Sequence, residues 1–179
     1  MDYDGIGAGG NLPASFNIVI EMSAFGKPVK YEADPRSSRL RVETFMMTSM
    51  RYPANYGFVP GTLAPDGRSV DVLVVAPLPI VPGAVAEAQA LGTMHLTNER
   101  GLDVKIVAVP VNDVCASSAD ILVLDDLPRL FLHEFRHFFF NYQVLEQGKW
   151  SRFEHWGSAD DAASELLQSV SACREAAGR

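Results

Sequence analysis

Asp66 and Asp71 are the side chains in this sequence whose placement most suggests chemistry. Asp66 falls in the turn-like Asp66-Gly67, and Asp71 lies inside the otherwise apolar run Val70–Val75. A carboxylate withdrawn from water without a partner is costly, so an acid in such a run implies a cation beside it. A hard divalent ion is a natural one, because Mg2+ takes oxygen donors and keeps several waters. Asp103 and Lys105 flank Val104 in a second apolar run, and in an extended chain residues two apart share a face. Lys30 and Glu32 repeat that spacing, with Glu21 upstream. Acids and lysines along one side of several strands would form a mixed-charge pocket for an anionic phosphate held through metal ions. On spacing alone, strand-end charges and surface ion pairs remain the simpler account.

The elements that must position these residues are mostly strands up to about Pro110. Phe16–Met22, Val29–Ala33, Leu40–Phe45, Val70–Val75, Val85–Leu96 and Val104–Val109 are short, rich in β-branched residues and separated by turn signals. Asp34-Pro35, Ser37-Ser38, Pro60-Gly61 and Pro82-Gly83 supply those signals. Many short strands of this kind predict a barrel or a sandwich. The period then changes: Leu127, Phe131, Phe135, Phe138, Tyr142 and Leu145 recur at helical steps. Asp125 or Asp126 is expected to cap that helix, Pro128 to sit in its first turn and Gly148 to end it. Ser158 and Asp161 form a capping-box pattern before a second apolar face of Ala163, Leu166, Leu167 and Val170. No internal repeat or linker divides the chain, so one domain over 1–179 is expected, with 1–11 as a loose arm.

The bulk properties narrow the possible partners. At 179 residues the chain can bury a substantial core. A net charge of −7 argues against non-specific nucleic-acid binding, which needs clustered Lys and Arg. No apolar run approaches the length of a membrane span, and the start lacks the basic and apolar regions of a signal peptide, so a cytoplasmic location is expected. Cys115 and Cys173 read as two reduced thiols, not a disulfide framework.

Tyr52-Pro53-Ala54-Asn55-Tyr56-Gly57 resembles the Tyr-Pro-x-Asn-Tyr-Gly segment of the soluble inorganic pyrophosphatases. Glu21 and Lys30-Tyr31-Glu32 precede it at that family's spacing. Asp66-Gly67-Arg68-Ser69-Val70-Asp71 occupies the place of its Asp-x-Asp-Pro-x-Asp signature. Glu99, Asp103, Lys105, Asp126-Leu127-Pro128, His137-Phe138-Phe139, Tyr142 and Gly148-Lys149-Trp150 follow in order, so the resemblance spans roughly Leu12 to Trp156. It implies a compact closed five-stranded β-barrel (OB-like) with two flanking C-terminal helices, in bacteria usually a homohexamer. It also implies Mg2+-dependent hydrolysis of diphosphate. By position, Asp66, Asp71 and Asp103 would bind the activating metals, and Glu21, Glu32 and Glu99 would border the outer ones. Lys30, Tyr56, Lys105 and Tyr142 would contact phosphate.

The sequence departs from that pattern where chemistry is expected. Arg68 stands where the family has the middle Asp of its signature, the candidate base or water-orienting group. Thr44 replaces a phosphate-clamping Arg, Asn98 a metal-binding Asp, Gln143 a phosphate-binding Lys and Ser69 the signature Pro. Arginine cannot accept a proton at neutral pH. Asp66, Asp71, Arg68 and Tyr56 are therefore the residues on which any reaction here depends, with Arg68 also a candidate substrate contact. Impaired hydrolysis is the first expectation. Chemistry on an organic phosphate or diphosphate, and a noncatalytic binding or assembly role, are the alternatives.

His133-Glu134-Phe135-Arg136-His137 also matches H-E-x-x-H, a zinc pattern when both histidines share a helix face. The surrounding Phe residues favour a packed helix instead, with one His beside the core and one exposed. His95 reads as a lone strand residue.

Overall fold

The computed structural model describes residue 3, residues 5–34 and residues 39–178. Its strands are β1 (Phe16–Met22), β2 (Val29–Asp34), β3 (Arg39–Phe45), β4 (Asn55–Phe58), β5 (Asp71–Val74), β6 (Val85–Asn98), β7 (Gly101–Pro110) and β8 (Ser151–Gly157). Two α-helices, α1 (Arg129–Asn141) and α2 (Ala159–Ala177), follow β7 and β8 respectively. The main sheet runs β1-β4-β5-β7-β6-β8, and β1 also pairs with β6. Strands β1, β4, β5, β7 and β6 thus close on themselves. This is the expected five-stranded OB-like barrel with two helices in the C-terminal third. Strands β2 and β3 form a separate hairpin.

Closure depends on local features of the sequence. β6 is long enough to pair with β1 through Val85–Ala88 and with β8 through Thr93–Asn98, and its register with β7 shifts between Ala90 and Gly92. A bulge of this kind bends a strand and sharpens its twist. β1 and β4 meet so closely that a Cβ at Gly57 would overlap the carbonyl oxygen of Val19. Asn55, fully buried, takes backbone N–H groups of Ala24 and Ile80 on its Oδ1 at 3.0 and 2.7 Å. Its amide donates to Val74 O and Leu78 O. One side chain therefore ties two loops and the end of β5 to the start of β4.

Strand alternation feeds two apolar clusters. Leu73, Val107 and Val109 join the cluster that includes Phe135, Phe138 and Phe139 of α1. Val72, Val74, Ile106 and Ala108 join the one that includes Ala162, Leu166 and Val170 of α2. Asp71, Asp103, Lys105 and Tyr56 share the alternation of the α1 side, so they form the polar end of a face whose remainder is core.

Several expectations need correction. β8 was not anticipated: Arg152, Glu154 and His155 make its sequence polar, yet it extends the sheet at the edge of β6. Asp126 does not cap α1. Its carboxylate accepts from Leu122 N and Val123 N, and α1 starts after Pro128 with no side-chain cap. α1 ends at Asn141, well before Gly148, and Leu145 is exposed beyond it. The capping box at α2 is present, with Asp161 N on Ser158 Oγ and Ser158 N on Asp161 Oδ2. Leu167 faces outward, however, and Ala162 and Ser169 complete the buried stripe. Within the N-terminal stretch read as a loose arm, Tyr3 and Ala8 are buried, and Asn17 N donates to Ala8 O. Met1, Asp2 and Asp4 of that arm, and the turn signals Pro35 and Ser37-Ser38, lie outside the described residues.

Candidate active site

β5 and β7 run parallel with Asp71 opposite Lys105. That register places the first carboxylate of β5 beside the lysine of β7. Lys105 Nζ donates to Asp71 Oδ2 at 2.8 Å and to Asp103 Oδ1 at 2.9 Å. It also donates to the Tyr56 hydroxyl at 3.3 Å and lies over the rings of Tyr56 and Phe139. Its side chain is 5% exposed, whereas Asp71 and Asp103 are partly open. The cation is therefore underneath and the carboxylates lie between it and solvent.

The electrostatics follow from that layering. Burial alone would push the Lys105 ammonium down, but Asp71 and Asp103 hold it well above the ordinary lysine range. Burial pushes Asp71 up, and Lys105 with the Tyr56 hydrogen bond more than reverses this, so its carboxyl ionises below the usual range. Tyr56 and Tyr52 are driven up by burial and by nearby charge, and both stay neutral. Tyr142, stacked on Phe138 at 4.9 Å, is pushed up to about 12 mainly by burial. Glu21 is 8% exposed and takes the backbone N–H of Ala33 at 2.8 Å. Burial raises its carboxyl to about 8, the Ala33 bond opposes this, and the charge of Asp71 adds to it.

The rim is built differently. Lys30 on β2 bridges Glu43 on β3 at 2.8 Å. Glu43 carried no signal in the sequence; the register shift between Lys30 and Tyr31 in the hairpin brings the two together. Asp66 is exposed in its turn and accepts from Arg68 N at 3.1 Å. Arg68 Nη1 lies 3.9 Å from Glu32. Glu99 pairs with Lys149 at 2.6 Å, and Asn98 donates to Asp103 at 3.2 Å. Thr44 offers only an exposed hydroxyl that bonds Phe45 O. Arg41 bridges Asp34 at 3.5 Å, and Arg51 donates to Phe25 O. The expected residues thus divide into a group joined through the buried Lys105 (Asp71, Asp103, Tyr56) and a group that does not touch it (Asp66, Arg68, Glu32, Lys30, Glu99).

Among the described residues, no three His, Cys, Asp or Glu side chains converge into a ready-made metal cage. The donors nonetheless suit a hard cation. Lys105 uses one oxygen of each Asp, and Glu21 has no ion pair among the described residues while the charge of Asp71 bears on it. Mg2+ commonly binds through one or two carboxylates, with water and substrate phosphate completing its shell.

His133 and His137 are both exposed on α1, so neither packs beside the core as expected. His95 is not alone: His155 of β8 stacks on it at 4.2 Å. Cys115 and Cys173 are free. Among the described residues, no helix is long and apolar enough to cross a membrane.

Comparison with known proteins agrees with this architecture. A family model described as Inorganic pyrophosphatase matches residues 18–174. "Inorganic pyrophosphatase 1" of Pseudomonas syringae pv. tomato is 46% identical over 172 residues, covering 96% of this chain and 98% of the relative. A solved inorganic pyrophosphatase from Coxiella burnetii superposes with a TM-score of 0.89 at 44% identity, covering 91% of this chain and 97% of the other. A solved structure from Anaplasma phagocytophilum, titled an inorganic phosphatase, gives a TM-score of 0.92 at 41% identity over 94% and 99% of the two chains. The chain belongs to the inorganic pyrophosphatase family.

Proposed function

We propose that this chain hydrolyses inorganic diphosphate to two phosphates with Mg2+, more slowly than an intact site would, as a cytoplasmic homo-oligomer, most simply a hexamer. The observation that carries the reading is the buried Lys105 held between Asp71 and Asp103 beside Tyr56, in a chain of this family. Relatives at about the same identity along nearly the whole chain bear the name inorganic pyrophosphatase, which supports the substrate.

In this reading Asp66, Asp71 and Asp103 hold the activating ions, and Glu21, Glu32 and Glu99 border the outer ones. Bound Mg2+ would neutralise the diphosphate and lower the pKa of a coordinated water. Lys105 is fixed and fully charged, and its three N–H groups already go to Asp71, Asp103 and Tyr56, so it holds the two carboxylates in place and would reach a phosphoryl oxygen only by giving up one of these bonds. Tyr56 and Tyr142 remain neutral phenols and serve as hydrogen-bond donors. Lys30 brings a second cation at the rim. Arg68 can bind an anion but cannot take a proton from water. Loss of a general base typically lowers a rate by ~10²–10⁴, and loss of a preorganised donor, as at Thr44 and Gln143, by ~10²–10³.

Phosphate release from diphosphate with saturating Mg2+ tests the reading. Turnover is expected below the ~10 per second of a median enzyme. A value near ~10² per second or above would defeat the slow-site reading. Diphosphate binding with no turnover would favour an organic phosphate or a noncatalytic role. Arg68→Asp combined with Thr44→Arg should raise the rate; no rise would mean that other features limit it.

A further inference from the structure

We infer that Arg68, anchored by Glu32, is a built-in cation at the rim that replaces one divalent ion when a diphosphate group binds. This rests on the diphosphate reading above and specifies how the site is charged.

The backbone fixes where Arg68 stands. Gly67 has φ +83°, Gly67 N donates to Ala64 O at 2.9 Å, and Ala64 N donates to Arg68 O at 2.7 Å. With Asp66 taking the N–H of Arg68, the turn holds its Cα from several directions. The guanidinium then reaches across to Glu32 on β2, which spans a different part of the chain. Its side chain is 46% exposed and that of Glu32 51%. The group therefore sits beside Glu32 in a long, water-exposed ion pair and is not used up. A guanidinium has five N–H donors in a planar fork suited to phosphate oxygens, and one carboxylate at 3.9 Å leaves most of them open.

The neighbouring charges give this cation a role. Glu43 is matched by Lys30, and Asp71 and Asp103 are matched by Lys105. Glu32 is matched by Arg68. Glu21 and Asp66 are the acids of this group without an ion pair among the described residues. A rim acid already facing a fixed cation has less need of a metal ion, and the same cation supplies positive charge to an arriving anion. A rim acid with no cation would bind that anion only through another divalent ion.

Binding of methylenediphosphonate, which has no cleavable P–O–P bond, separates these cases without relying on turnover. Its Kd is measured calorimetrically across a range of Mg2+ concentrations for the native chain, Arg68→Ala and Arg68→Asp. The slope of log Kd against log free Mg2+ counts the ions taken up with the ligand. The native slope should be smaller than that of Arg68→Asp by about one ion. Arg68→Ala should bind about 10-fold or more weakly at low Mg2+ and recover at high Mg2+. Glu32→Gln, which frees the guanidinium from its anchor, should weaken low-Mg2+ binding by less. Parallel slopes with unchanged affinity would overturn the inference and leave the pair as a surface contact. Failure of the native chain to bind the diphosphonate at any Mg2+ concentration would overturn the diphosphate reading and this inference together. Because both residues are half exposed, all variants should melt close to the native chain, so these outcomes can be read from folded protein.

Discussion

At the floor of the site Lys105 is 5% exposed and reaches two carboxylates at 2.8 and 2.9 Å, whereas at the rim Arg68 and Glu32 are 46% and 51% exposed and 3.9 Å apart. The floor belongs to the barrel's packing: its residues alternate with core positions on β5 and β7, and Phe139 of α1 lies beneath the ammonium. The rim belongs to a turn and a hairpin. A change at the floor must therefore disturb the fold, while a change at the rim can alter charge with little effect on it. Thr44 and Arg68 are likewise exposed and Ser69 is only partly covered, whereas Asn98 is part-buried and donates to Asp103 of the floor.

The largest effect should come from the support beneath the floor. Asn55→Ala would leave the buried N–H of Ala24 and the part-buried N–H of Ile80 without an acceptor, and the carbonyls of Val74 (buried) and Leu78 (part-buried) without a donor. Each buried unsatisfied group costs about 1–3 kcal/mol, so a loss of about 3–6 kcal/mol is expected in urea unfolding. That is a large share of the total stability of a domain this size. A loss under about 1 kcal/mol would show that the loops around β4 hold themselves.

Lys105→Met comes next. It leaves Asp71 and Asp103 facing each other without their cation; breaking a fully buried pair from one side costs about 3–5 kcal/mol, and because both carboxylates are partly open to water the loss here should fall below that range. Mg2+ should raise the melting temperature of this variant more than that of the native chain, because the ion can take the ammonium's place. Equal Mg2+ shifts in both proteins would argue that these carboxylates do not bind the metal.

The floor was also the part most legible in the sequence. Asp103 and Lys105 were readable as one face because strands alternate strictly, and Asp71 because it interrupts an apolar run. What supports them was harder to see. Asn55 sits inside a recognisable segment, but its four backbone partners come from three other stretches. Phe139 looks like one more core residue of α1. The rim was less legible still, since the Lys30–Glu43 bridge depends on a register shift in a hairpin and Arg68–Glu32 on where a turn lands. β8 escaped notice because an edge strand with one covered face tolerates Arg152, Glu154 and His155 on the other.

Glu21 lies between the two regions and gives a pH test. In the unfolded chain its carboxyl ionises near 4.5, and in the metal-free folded chain near 8. Between those values the folded state keeps a proton that the unfolded state has lost, so stability falls as pH rises. The contribution is fully present below pH 4.5 and gone above pH 8, a loss of a few kcal/mol. Glu21→Gln should flatten that slope in unfolding experiments run with a chelator, since the amide still accepts from Ala33 N. Mg2+ should flatten it in the native chain, because a cation favours the ionised carboxylate. A native slope that neither change affects would mean that another group controls it.

The smallest stability effect should be at Arg68, and its size decides whether floor and rim are separable. An exposed ion pair contributes about 0–1 kcal/mol, since water screens it and two long side chains must be held together. Arg68→Ala should therefore shift the urea midpoint within that range, and 0.5 M salt, which shortens the screening length, should erase most of the difference. The turn itself should survive, because Gly67 N on Ala64 O, Ala64 N on Arg68 O and the Arg68 backbone N–H on the Asp66 carboxylate do not involve the Arg68 side chain, so alanine keeps them. If Arg68→Ala instead cost as much as Lys105→Met, the guanidinium would be bracing the hairpin against the barrel. The rim would then be part of the fold, and Arg68 would have to be explained by packing before it was explained by chemistry.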